Sequence, residues 1–344
     1  MLKWYEINGP ESDVVISSRI RLARNLEQYL FSAKLDDETA KAMVDEVKEI
    51  TPTLSQAGTR KFYACNISTL NDIDKTAMVE RHIVSPLLAE KDQPTGLILS
   101  EDETISIMIN EEDHIRIQAI VGGMNLEEAY EEAEKIDDIA YEKLHFAYDE
   151  KYGYLTSCPT NAGTGLRASC MVFLPALSSA RLIHKLMEEV AKYGMTIRGI
   201  YGEGTKSLGS IYQISNQKTL GSSEREIIDS LNRIVQQVVK QERKRREYML
   251  SVNSDEIEDQ VYRSYGILKF ARQISSDDAM TLLSQLKFGA DSGVIKFDRA
   301  FNIHKLMMGV QPGSLQWSLG KNVGSLTRDQ SRAEYIRKEL PTII

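Results

Sequence analysis

The 344-residue chain is 42% hydrophobic and 27% charged, the composition of an ordinary globular protein long enough for two domains. No apolar run approaches the roughly 18 residues that span a membrane, and a net charge of −8 argues against a nucleic-acid-binding body. Cys65, Cys158 and Cys170 and five scattered histidines lack metal-ligand spacing, and the start carries no signal-peptide pattern, so a cytoplasmic protein without a metal site is expected.

Residues 14–25, VVISSRIRLARN, begin as a strand that turns Arg19 and Arg21 to one face and Arg24 to the other. Taken alone, such a pair fits a solvated sheet surface. Residues 36–50 read as an amphipathic helix and 60–67 as a strand. TAMVERHIVSPLLAE (76–90) places His82 on a helical segment that stops near Pro86. TGLILS and ISIMIN (95–110) form a hairpin that delivers the acidic cluster NEEDHIRI (110–117). A long amphipathic helix over 126–150 follows.

The stretch CPTNAGTGLRASC (158–170) lies between an extended YGYLTS and an apolar MVFLPAL. Its small residues let a ligand approach the backbone, and Arg167 is a five-donor fork suited to phosphate or carboxylate. A helix over 178–194 ends at Gly194, and 195–217 reads strand, Gly-rich loop, strand. From 223 a helical stripe appears at 227, 231, 234 and 238, and the run KQERKRRE (240–247) solvates that helix. The expected fold class is α+β: an antiparallel sheet flanked by helices over 1–248, then a mainly helical domain over 249–344.

Five arginines on strand or loop segments (Arg19, Arg21, Arg116, Arg167, Arg198) could cage a nucleoside triphosphate without a phosphate loop. GIYGEGTKS (199–207) is not such a loop: Thr205 intrudes before Lys206, and a strand follows where a helix is needed. HRD and DFG motifs are missing too. Glu112 and Glu203, on separate loops, fit either a glycosidase pair or a clamp on a guanidinium. A guanidinium is a poor nucleophile, with a pKa of about 12.5–13.8. One carboxylate as base and another holding the group in line would answer that.

SSRIRLARN, NEEDHIRI, CPTNAGTGLRAS and RGIYGEG together resemble the phosphagen kinase (ATP:guanido phosphotransferase) family over residues 17–217. The resemblance implies ATP as donor, with Mg²⁺ carried on its phosphates. It implies phosphate contacts from Arg19, Arg21, Arg116, Arg167 and Arg198, guanidine-binding carboxylates at Glu112 and Glu203, and a reactive cysteine at Cys158. Further nucleotide contacts fall on Ser17, Ser18, His82, Ala168, Ser169, Cys170, Gly199, Tyr201 and Gly202, with His82 beside the adenine. A second family histidine near the base is Met171 here, so the adenine contacts differ.

Only sixteen residues precede Ser17, where phosphagen kinases carry a helical domain, and 251–344 is an addition. This arrangement, with QVYRSYGIL and RDQSRAEYIR, resembles the bacterial protein-arginine kinase branch of the family. That branch implies phosphorylation of arginine side chains in proteins, marking them for the ClpC–ClpP protease. It also implies an McsA-like activator, the heat-shock repressor CtsR as target, and a homodimer or higher oligomer, with neither membrane nor direct nucleic-acid contact. An activating phosphoarginine site is implied at Arg328, Asp329, Gln330, Ser331, Arg332 and Ala333, Asp329 taking the guanidinium and Arg328 or Arg332 the phosphate. A solvated helix with internal ion pairs is the plainer reading of that segment. A kinase of free arginine, or a non-catalytic adaptor on a degenerate kinase fold, are the other readings of the chain.

Overall fold

The computed structural model describes residues 2–58, 60–200 and 207–344. Its strands are β1 Val15–Arg24, β2 Phe62–Asn66, β3 Gly96–Ser100, β4 Ile105–Ile109, β5 Ile115–Gly122, β6 Tyr148–Asp149, β7 Gly153–Tyr154, β8 Leu166–Phe173, β9 Met195–Gly199 and β10 Ile211–Asn216. Apart from the β6–β7 hairpin they form one antiparallel sheet in the order β2-β3-β4-β5-β1-β8-β10-β9. The helices interleaved with them are α1 Asp37–Lys48, α2 Thr51–Ala57, α3 Asp72–Glu80, α4 Pro86–Glu90, α5 Leu126–Tyr141, α6 Pro175–Ser179, α7 Ile183–Ala191 and α8 Glu224–Val252. Five more complete the chain: α9 Ser254–Phe270, α10 Ser276–Asp291, α11 Ile303–Gly309, α12 Pro312–Leu319 and α13 Ser325–Glu339.

Strand alternation gives the sheet two unlike faces. Ile20, Leu22, Ile115, Ile117, Leu166 and Ile214 point to one side, where α1, α5 and α8 bury Val44, Ala133 and Leu231 against them. The opposite face carries the arginines. A register shift between Val15 and Ser17 turns Ile16 to that second face. There Ile16, Ile120, Phe173 and Ile211 join Trp4 in a core shared with Leu283, Leu306 and Ile336 of the C-terminal helices. Helices therefore cover one whole face and one end of the other, leaving a cleft between.

Three expectations need correction. The helix that begins at Leu126 ends at Tyr141 instead of 150, because Phe146 pairs with Leu26 and Tyr148–Asp149 enters a hairpin. His82 does not lie on a helix. α3 stops at Glu80, His82 has a left-handed backbone (φ 59°), and Pro86 opens α4 as its first residue. The run 240–247 is not simply solvated: Glu242 is fully buried, accepts from the backbone N–H groups of Ala176 and Leu177 at 3.0 Å each, and receives Arg246 Nε at 2.7 Å.

Candidate active site

All five expected arginines line one cleft of about 590 Å³ on the second face. Register places them: Arg21 lies directly opposite Arg167 across β1–β8, Ala23 opposite Arg116, and Gln213 opposite Arg198. Like charges opposed across a ladder destabilise it, and few acceptors offset them. Arg19 donates to Gln213 Oε1 (2.8 Å) and Ser169 Oγ (3.3 Å), and Arg167 to Ser215 Oγ (3.3 Å). The Nε groups of Arg21 and Arg167 are buried without a hydrogen-bond partner among the described residues. Burial, then the neighbouring guanidinium groups, pushes Arg19 down to about 10 and Arg21 well below its ordinary value. Burial and the charges of Arg198 and Arg116 lower Arg167 as well. The arrangement is short of negative charge.

Carboxylates enter from the loop between β4 and β5. Glu111 is buried and holds Arg116 Nη1 at 2.6 Å, while Glu112, 37% exposed, meets Arg116 Nη2 at 3.2 Å. Asp113 Oδ1 accepts from Asn25 Nδ2 (2.7 Å) and from the backbone N–H of Ser157 (2.6 Å), which docks the Cys158 loop against the acidic one. Cys158 Sγ lies 3.0 Å from Thr160 Oγ1 at the cleft wall. At the other side His82, pushed down to about 3 by burial and the Arg19 charge, shares a small recess with Ser17, Ser169 and Met171. The two positions assigned to the base by resemblance, 82 and 171, thus meet in space.

A cationic cage, an exposed carboxylate and a thiol around one cleft suit transfer of a phosphoryl group to a cationic acceptor. The model of the ATP:guanido phosphotransferase C-terminal catalytic domain matches residues 42–245. The chain belongs to the ATP:guanido phosphotransferase family. A second model, the protein-arginine kinase McsB C-terminal domain, matches residues 254–343. The chain is 42% identical to a protein-arginine kinase of Brevibacillus brevis over 99% of its own length and 95% of that protein's. It is 46% identical to one of Clostridium kluyveri over 95% and 94%. These matches put it in the protein-arginine kinase branch. A duplicated taurocyamine kinase from Schistosoma mansoni shares the fold with a TM-score of 0.62 and 26% identity, over 69% of this chain and 34% of that one.

Within the family's cleft the other expected positions divide. Ser17, Ser169 and Gly199 line it or its recess. Tyr201, Gly202 and Glu203 lie outside the described residues. Ser18, Ala168 and Cys170 are corrections: all three are buried on the helix-covered face, where Ala168 and Cys170 belong to the main core. Ser18 Oγ donates to Gly123 O (2.9 Å) and accepts from Asn125 N (2.8 Å), securing the start of α5. Parity separates them from Arg19, Arg167 and Ser169. Gln213, Ser215 and Glu111 were not singled out. The alternation IYQISN, which turns Gln213 and Ser215 to the arginine face, was the signal that could have found the first two.

The C-terminal motif also changes. Arg332 on α13 is 1% exposed, donating to Val310 O (2.8 Å), Ile274 O (2.9 Å) and Asp329 Oδ1 (2.5 Å). Ala333 is in the core. Arg332 is therefore a buried tie through Nε and Nη1 instead of a surface residue, and Asp329 already holds a guanidinium of this chain.

Proposed function

We propose that the chain transfers the γ-phosphoryl group of ATP to arginine side chains of proteins. The observation that carries this reading is the set of five guanidinium groups around one cleft with Glu112 at its rim. Preorganised guanidinium forks stabilise the charge that develops on a transferring phosphoryl group. Arg21 and Arg167, short of partners, take phosphate oxygens, and the His82–Met171 recess receives the base. The acceptor guanidinium lies between Glu112 and Glu203; one removes its proton, which otherwise leaves only near pH 12.5–13.8, about, and both hold it in line. Cys158 tunes that site without forming a covalent intermediate. Mg²⁺ arrives on the nucleotide and supplies further positive charge to its phosphates. No group of three or more His, Cys, Asp or Glu side chains disposed for a metal occurs among the described residues.

The same reading extends to marking of proteins for ClpC–ClpP, relief of CtsR repression, an McsA-like activator, self-association and a cytoplasmic, stress-linked role. The branch membership supports it, and no helix among the described residues is long and apolar enough to cross a membrane. Purified protein, ATP–Mg and an equal mixture of unfolded protein and free arginine test the core of it. Mass spectrometry under non-acidic conditions should find phosphoarginine on the protein. Modification of free arginine alone would replace this reading with a small-guanidine kinase, and absence of ATP turnover would leave an adaptor.

A further inference from the structure

The turn that carries His82 closes the C-terminus of α3, with His82 N–H donating to Val79 O (3.0 Å) and Ile83 N–H to Met78 O (2.9 Å). His82 itself is left-handed (φ 59°) at the cleft wall. Both residues before it are anchored to α12 of the C-terminal region. Glu80, also at the cleft wall, accepts at Oε1 from Gly313 N (2.8 Å) and at Oε2 from Ser314 N (2.7 Å) and Ser314 Oγ (2.9 Å). The Arg81 guanidinium lies 4.6 Å from the Trp317 ring centroid and donates to Glu103 at 3.0 Å. Gly313 sits so close to α3 that a Cβ there would come within 2.7 Å of Thr76 Cγ2 and 2.8 Å of the Ala77 nitrogen. From the other side the turn's carbonyls are held by Gln118 Nε2 on His82 O (2.8 Å) and Trp4 Nε1 on Arg81 O (3.3 Å).

We propose that Glu80 is a positioning residue for the nucleotide, through which α12 sets the His82 wall of the ATP cleft. The proposal rests on the reading that this wall receives the base. Helix α12 is tied in turn to α13, because Arg332 donates to the Val310 carbonyl two residues before Pro312. A displacement of α13 therefore has a short covalent and hydrogen-bonded route to the base-side wall. The C-terminal region acts on nucleotide affinity by this route, not on the phosphoryl-transfer step.

Steady-state kinetics on the full chain test the idea. Glu80→Gln keeps the shape of the side chain but replaces one acceptor oxygen by a donor facing N–H groups. It should raise KM for ATP about tenfold, with kcat and KM for the protein acceptor changed less than about twofold. Ser314→Ala, which removes one of the three donors, should move KM for ATP in the same direction by a smaller factor. Adding Glu80→Gln to His82→Ala should change KM for ATP little further, since both act on one wall. A lower melting temperature with unchanged KM for ATP in both Glu80→Gln and Ser314→Ala would make this contact a plain structural tether. Equal losses in kcat and in KM for both substrates would also overturn the proposal. If His82→Ala itself leaves KM for ATP unchanged, the base site lies elsewhere, whatever Glu80 does.

Discussion

Arginines on the cleft and arginines in the scaffold differ in how their donors are met. Arg24, three residues after Arg21, faces the helices; it binds Asp137 at 2.7 Å, donates to the carbonyls of Ala23 and Thr164, and stacks 3.5 Å from the Tyr154 centroid. Arg332 donates through Nε and Nη1 to two carbonyls and Asp329. Arg21 and Arg167 instead oppose each other across two strands with unpartnered Nε groups. Arg24 is balanced within the chain, whereas Arg21 and Arg167 keep buried donors unmet among the described residues. Unmet donors beside like charges, more than the number of arginines, set Arg21 and Arg167 apart from Arg24.

The sharpest way to break this comparison is to delete one arginine from each class and read activity and stability together. Arg167→Ala should lower kcat by about 10²–10³-fold while the melting temperature of the ligand-free protein stays level or rises, because a like-charge pair is relieved. Arg167→Lys should recover only part of the rate, since an ammonium does not donate as a fork. Arg332→Met should do the opposite. It strands the Val310 and Ile274 carbonyls and the Asp329 carboxylate, a loss of about 3 kcal/mol readable by denaturant unfolding. If Arg332→Met is as stable as the parent but loses a response to added phosphoarginine, the motif is a ligand site after all.

Glu112→Gln extends the comparison to the carboxylates. The buried Glu111 holds Arg116 as scaffold, and the more exposed Glu112 is the carboxylate proposed to meet the acceptor. Turnover should fall about 10²-fold in Glu112→Gln with ATP affinity retained, as measured by equilibrium nucleotide binding beside initial rates. Normal turnover would return Glu112 to the solvent-facing loop.

Much of this was legible in the chain. Strand parity in VVISSRIRLARN already separates Arg19 and Arg21 from Arg24, and the same rule holds when the sheet is assembled. Parity carried through LRASCM would also have removed Ala168 and Cys170 from the nucleotide contacts, since they alternate with Arg167 and Ser169. The position of Arg332 could not be read that way. A helix of mean polar character gives no sign that one arginine points inward, because the acceptors are carbonyls of Ile274 and Val310, remote in sequence. His82 departs from the expected helix because helical spacing continues through VERHIV with no glycine to mark the left-handed cap that ends α3.

The smallest effect belongs to the cysteines, which repeat the contrast between cleft and core. Cys170 is fully buried beside Ser18 and burial pushes its thiol up to about 12; Cys65 is raised by burial too. Cys158 instead stands at the cleft wall that Arg167 also lines. Reactivity follows the thiolate and its accessibility, so limited alkylation at pH 8 should label Cys158 first, and ATP with an arginine-bearing protein should protect it. Cys158→Ser keeps a small polar group against Thr160 but removes the polarisable sulfur. Activity should fall by a factor of a few, roughly 1 kcal/mol or less in barrier, and some should remain. Complete loss, or a trapped phosphocysteine, would mean that the thiol takes part covalently. Direct in-line transfer from ATP to the guanidinium would then have to be abandoned, and the arginine cage would serve a two-step exchange.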